Sequence, residues 1–181
     1  MGSRRDCTWI LGLAKFRVVT VESEEEGSGS RLRVRVQRRG RQGSRCSGCG
    51  RASRRVRSVR DRTWDDLPWA AHPVTLVYGQ RRVVCRRCGI RTERIEFADP
   101  KGRVTRRLRQ QIGLDCQSMP TSHAAVRHGV SWNKARRAEV AFLAEWDNKR
   151  GRHRPRHVGL DEIQRGKGQR FWTVLSDIVR G

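Results

Sequence analysis

The sequence is poor in acid and almost empty of lysine. Its 181 residues hold 18 Asp and Glu against 41 Lys and Arg, a formal charge of +23 at pH 7. The lysines are Lys15, Lys101, Lys134, Lys149 and Lys167, so nearly all the positive charge is arginine. A chain this basic is drawn to polyanions, and nucleic-acid phosphate is the usual one. An arginine-rich genome accounts for the choice of Arg over Lys but not for the net excess. No apolar run approaches the roughly 18 residues of a membrane helix. The first residues are basic, but the apolar run behind them is too short and mixed for a signal peptide. Asp6 stands where a myristoylation motif wants Ser or Thr. The reading is a cytoplasmic, nucleoid-associated protein, whose six cysteines serve as metal ligands or free thiols rather than disulfides. Hydrophobic residues make up only 35%, which favours small modules with a staple over one large core. No internal repeat is present.

Aromatics are few: one Tyr, four Phe and six Trp. Stacking platforms of the kind RNA modules use are therefore scarce. Trp64, Trp69, Trp132, Trp146 and Trp172 sit within apolar patterns and read as core residues.

What is present falls into three stretches. Residues 9–37 read as two strands. Trp9, Ile10, Leu11 and Leu13 open the first, which continues through Phe16, Val18, Val19 and Val21. The polar Glu22–Ser30 segment reads as a flexible turn. Leu32, Val34 and Val36 then alternate with Arg31, Arg33 and Arg35, giving one apolar and one basic face. The alternative is a solvated edge strand guarded by charge.

Cys46-Ser-Gly-Cys49 and Cys85-Arg-Arg-Cys88 form two C-x₂-C knuckles, each followed by glycine (Gly50, Gly89). Four thiolates from two tight turns can complete a tetrahedron around a structural zinc and leave no open position for substrate. The knuckles lie farther apart than the roughly 15–20 residues of the simplest four-cysteine pattern, so a β-hairpin is expected between them. Within it, Thr63–Pro68 reads as a turn, and Pro73–Tyr78 and Gln80–Cys85 as short strands. Two disulfides, a redox pair and a zinc deaminase fit less well: neither knuckle has a thioredoxin-like setting, and no H-x-E precedes a P-C-x-x-C. Cys7 and Cys116 stand alone as ordinary thiols.

Residues 103–150 carry Leu, Ile, Ala and Val at helical spacing. Thr105 is a natural N-cap for a helix to Gln117. Thr121–His128 reads as a short second helix, Gly129-Val130 as a turn, and Ser131 as the cap of a third helix from Trp132 to about Lys149. Ala135, Ala138, Phe142 and Trp146 mark its inner face. This is a helix-turn-helix layout, in which the start of the last helix enters the major groove. It carries Trp132, Asn133, Lys134, Arg136 and Arg137, candidates for reading bases or holding phosphate. The alternative is a three-helix packing unit with solvated cations. His123 and His128 read as incidental. After a Gly/Pro/Arg linker, in which His153 and His157 read as linker residues, strands return: His157–Ile163, an RGKGQR turn, and Phe171–Val179.

The order CSGCG, TWDDLP, VVCRRCG, helix-turn-helix and VGLDEIQRGKGQRFWTVLSDI resembles the insertion-sequence transposases of the ISL-three family, across essentially the whole chain. The resemblance implies a ribonuclease H-like catalytic domain in which two Asp and one Glu hold two magnesium ions that promote attack on a phosphodiester. Asp161 matches the first of those acids. Glu162 should face the other side of its strand, and Asp177 does not match the second acid. Gly181 lies 20 residues beyond Asp161, so magnesium is expected only in a full-length relative, and activity from this stretch alone is not expected.

The expected fold is therefore α+β. Residues 1–99 form an N-terminal hairpin with a four-cysteine zinc-ribbon-like module, 100–150 a helix-turn-helix, and 151–181 a linker with the first two strands of the catalytic domain. The expected function is recognition of double-stranded DNA at transposon terminal inverted repeats, with a homodimer possible in principle. The alternatives are a transcriptional repressor built from the same modules and a basic RNA-binding protein.

Overall fold

The computed structural model describes residues 8, 11–13, 15–26, 29–40, 43–149, 151, 154–164, 166–168 and 171–179. Cys7, Trp9, Ile10, His153 and the ends of the RGKGQR turn lie outside these. The fold is α+β, in two compact units, Met1–Glu145 and Trp146–Gly181. No helix among the described residues is long and apolar enough to cross a membrane.

In the first unit, β1 (Phe16–Glu26), β2 (Gly29–Arg38), β5 (Val56–Trp69), β6 (His72–Cys85) and β7 (Gly89–Thr92) form one sheet, ordered β1-β2-β6-β5 with β7 also on β6. The two-residue strands β3 (Ser44–Arg45) and β4 (Ala52–Ser53) pair with each other. The core lies on one face. Phe16, Val18, Val34, Val36, Trp64, Val74, Leu76 and Tyr78 point into it, and Leu11 and the segment Ile95, Phe97 and Ala98 close it. The scarce aromatics are concentrated here: Phe16 meets Tyr78 and Phe97 edge-on at 5.3 and 5.0 Å, and Phe97 meets Trp64 at 5.3 Å. Such edge-to-face pairs add to what burial alone contributes.

Several expectations are corrected. Leu11 is helical, and the first strand starts at Phe16. Most of Glu22–Ser30 is strand, because acid faces arginine across the ladder: Glu22 opposite Arg33 and Glu24 opposite Arg31, with an Arg33–Glu24 ion pair at 3.1 Å. The arginine-bearing strand is internal, paired antiparallel to β1 and parallel to β6, so it is not a solvated edge. Thr63–Pro68 is extended within β5, and the chain reverses instead at Trp69–His72, where Ala70 takes φ +52°. The two short strands after it are one continuous β6. It runs through Gly79, where a Cβ would come within 2.9 Å of Val59.

The helices are α1 (Arg106–Asp115), α2 (Thr121–Arg127) and α3 (Trp132–Lys149). Thr105 caps α1, its hydroxyl accepting from Leu108 N–H at 3.2 Å. Leu108, Ile112, Ala125, Ala135 and Ala138 form a second core, into which Leu67 of β5 also packs. The helices approach closely because α1 carries Gly113: a Cβ there would lie 2.1 Å from Phe142 Cγ. Gly113→Ala is thus expected to destabilise the unit despite the better helix propensity of alanine, since overpacking costs about 1–3 kcal/mol against roughly 1 kcal/mol gained. A thermal melt at or above that of the parent chain would show that Phe142 yields freely.

The second unit holds the β8 (Val158–Gln164) and β9 (Phe171–Asp177) hairpin, with Asp161 opposite Val174. Most of its side chains are exposed, Leu160, Trp172 and Leu175 among them. The core role expected of these five tryptophans is therefore corrected for three of them. Trp64 is buried and Trp69 packs on the core, but Trp132, Trp146 and Trp172 are 54%, 51% and 57% exposed.

Candidate metal centre and nucleic-acid interface

Each cysteine pair sits on a tight turn between two strands, β3 and β4 for the first and β6 and β7 for the second. Cys46 follows β3, and Gly50 N–H returns to Cys46 O at 2.9 Å. Cys85 ends β6 and pairs with Gly89, the first residue of β7. Gly50 and Gly89 take the same left-handed φ, +71° and +69°, which only glycine adopts without strain. A bridge between Cys46 and Glu93 holds the knuckles together. The four Sγ atoms all lie within 4.8 Å of one another, with Cys49 and Cys85 3.5 Å apart. Four sulfurs at about 2.3 Å from a tetrahedral zinc would stand about 3.8 Å apart, so the cluster fits the metal.

The electrostatics agree. Backbone N–H groups of Arg87 and Cys88 donate to the Cys85 sulfur and lower its pKa to about 6, against burial. Cys88 is pushed up to about 12 by hydrogen bonding with Cys49, by burial and by Cys46. The Cys85 thiolate is favoured while that of Cys88 is opposed, and a divalent cation removes that conflict. With zinc held by four thiolates the site is structural. Cys116 is a half-buried thiol whose pKa burial and Glu139 raise. Among the described residues, no second group of three such ligands gathers, around Asp161 or elsewhere. The exposed Asp161 carboxylate accepts the N–H of Glu162 at 2.8 Å.

In the helix-turn-helix, α3 buries Ala135, Ala138 and Phe142. Its early outer positions, Trp132, Asn133, Arg136 and Arg137, are exposed. Arg136 is steadied by Glu139 at 2.9 Å. Lys134 is half-buried and turned inward, its ammonium 2.5 Å from Asp65 of β5. Gly129, at φ +59°, lies where a Cβ would meet Pro73 at 2.7 Å, so the turn before α3 rests on the sheet. His128 is not incidental. It is buried, with Nε2 2.7 Å from Asp115 Oδ2. Burial raises the Asp115 pKa, but His128, Gln111 and Arg127 outweigh it and hold the carboxyl below the usual range.

Sequence reasoning missed the joint between sheet and helices. Asp65 binds Lys134 and Arg31. Asp66 is fully buried and accepts from Thr105 Oγ1 at 2.6 Å, from Arg107 Nε at 2.7 Å and from Arg107 Nη2. Backbone bonds run alongside: Asp65 N–H to Arg103 O and Thr105 N–H to Asp65 O, both 2.9 Å. The two acids of TWDDLP thus fix the first helix and the helix with the exposed basic face onto β5.

Two family models match. Residues 42–88 match the zinc-finger of transposase IS204/IS1001/IS1096/IS1165, and residues 93–140 match the helix-turn-helix domain of transposase family ISL3. Together they span slightly more than half of the chain. No curated protein and no solved structure matches.

Proposed function

Since the chain belongs to the ISL3 family of transposases, we propose that it recognises the terminal inverted repeats of its own element as double-stranded DNA. In this reading α3 is the recognition helix, lying in the major groove. Asn133, Arg136 and Arg137 face the bases or the flanking phosphates, and Trp132 packs against the groove wall. Lys134 has a different part: its ion pair with Asp65 sets the orientation of α3 on the sheet. The observation that carries the reading is the division of α3, with small apolar residues buried and Asn133, Arg136 and Arg137 exposed at its first turns. The zinc centre holds the far end of the same sheet and takes no part in chemistry.

Asp161 stands as the first acid of the family's catalytic trio. A single exposed carboxylate does not by itself hold a pair of metal ions. Alanine at Arg136 or Arg137 is expected to weaken duplex binding by about 1–3 kcal/mol where the arginine meets a base, and to lower the salt slope by about 1 where it meets a phosphate. Fluorescence anisotropy on the zinc-loaded chain reads both. Unchanged affinity and slope for both variants would remove α3 from the interface.

A further inference from the structure

An open basin of about 720 Å³ borders β5 between the aromatic core and the zinc knuckles. Arg60, Arg62, Arg82 and Arg103 line it, beside Arg33 and Asp61, whose charges are taken up by Glu24 and Arg35. The ladder explains why three of them converge. Arg60 stands opposite Gln80, Arg62 opposite Tyr78, and Arg82 opposite Ser58, so alternation places all three on one face of the sheet. Arg103 arrives from the segment that runs beside Asp65 into α1.

The arginines of β2 each have an acid: Arg31 has Asp65, Arg33 has Glu24, Arg35 has Asp61, and Arg38 has Glu96. Arg60, Arg62, Arg82 and Arg103 have none within ion-pair distance among the described residues. Arg62 leans on the Trp64 ring at 5.2 Å and donates to Gln80 at 2.9 Å, both neutral partners. Burial pushes the Arg62 pKa below its ordinary value, and the charge of Arg103 lowers it further. Cations gathered together without carboxylate partners of their own cost free energy in the isolated protein. Charge on an edge strand also deters strand pairing. That role, however, requires neither convergence into a basin nor a guanidinium oriented by a tryptophan and a glutamine.

We propose that this basin is a second DNA-binding site, which grips the phosphate backbone of the duplex read by α3. Same-face residues on a strand repeat every ~6.8 Å, so Arg60 and Arg62 can both meet one phosphate backbone that runs along β5. The contact carries no base recognition; it adds affinity and fixes register. The proposal rests on the DNA-binding reading above.

The test uses the full zinc-loaded chain and a labelled random-sequence duplex, titrated at several salt concentrations. The variant Arg60→Gln/Arg82→Gln/Arg103→Gln removes three charges at exposed positions. Its salt slope is expected to fall by about two to three, at roughly 0.9 per phosphate contact, with zinc content unchanged and the thermal melt at or above that of the parent. The Arg→Lys counterpart should keep the parent slope. A parent slope in the Gln variant, while Arg136→Ala/Arg137→Ala binds more weakly, would overturn the second site and leave α3 standing. Loss in the Lys variant equal to that in the Gln variant would also overturn it, since charge would not be the cause. No duplex binding by the parent chain would remove both readings. If single-stranded RNA displaced the arginine-dependent component better than duplex, the duplex assignment would fall.

Discussion

Asp66→Ala is expected to lower the melting temperature of the zinc-loaded chain by roughly 10 °C and to abolish tight duplex binding. Breaking a buried ion pair by removing one partner costs about 3–5 kcal/mol, and for a unit of this size each kcal/mol shifts the melt by about 2–4 °C. The environment of Asp66 supports a figure in that range. Its carboxylate is fully buried and accepts from Thr105 and both arms of the Arg107 guanidinium. Thr105 is also the cap of α1, so one substitution loosens the cap as well as the ion pair. Arg107 also donates to Leu11 O at 2.5 Å, which ties the joint to the aromatic core. Binding should suffer beyond the loss of stability, because α3 keeps its orientation only while the helices stay fixed to β5. Calorimetry and anisotropy on the same preparation check both effects. A melt within about 2 °C of the parent, with binding intact, would show that the joint is ornamental.

Zinc removal should have the next largest effect. The knuckle strands β3, β4 and β7 have two to four residues each, too few to bury a core of their own. Folding there depends on the metal, and zinc binding to small fingers is worth about 10–16 kcal/mol at neutral pH. One zinc per chain is expected on metal analysis. In hydrogen exchange, Cys85→Ser or a chelator should expose β7 and the end of β6 near Cys85. The middle of β6, from Val74 to Tyr78, should stay protected by the aromatic core. Metal-free protein with unchanged exchange at β7 would contradict a structural zinc.

The parts of this fold that depend on near neighbours were legible in the sequence. The C-x₂-C spacing with its trailing glycines, the Thr105 cap, and the start of α3 after Ser131 all follow from local chemistry, and each stands where expected. The joint was not legible, because Asp-Asp-Leu-Pro is turn-like in composition. The ladder with β6 makes the segment a strand, and partners 39 to 69 residues away, Thr105, Arg107 and Lys134, meet its two acids. One clue was available: in a chain of +23, adjacent acids between a tryptophan and a leucine are costly to bury unless cations meet them. Glu22–Ser30 misled for a related reason, since its acids look solvated until Arg31 and Arg33 lie opposite. The exposed tryptophans show the limit of periodicity. It finds a face but does not say whether that face is covered, and Trp132 lies on the outer side of α3.

The most direct measurement is a titration of the zinc-loaded chain against duplexes carrying the terminal inverted repeats of its element and against scrambled duplexes, at two salt concentrations. Tighter binding to the repeats is expected at both, with the preference persisting at the higher salt because base contacts do not depend on counterion release. Equal affinities that fall together steeply with salt would contradict recognition of the repeats, and would leave only the attraction of a +23 chain for any polyanion.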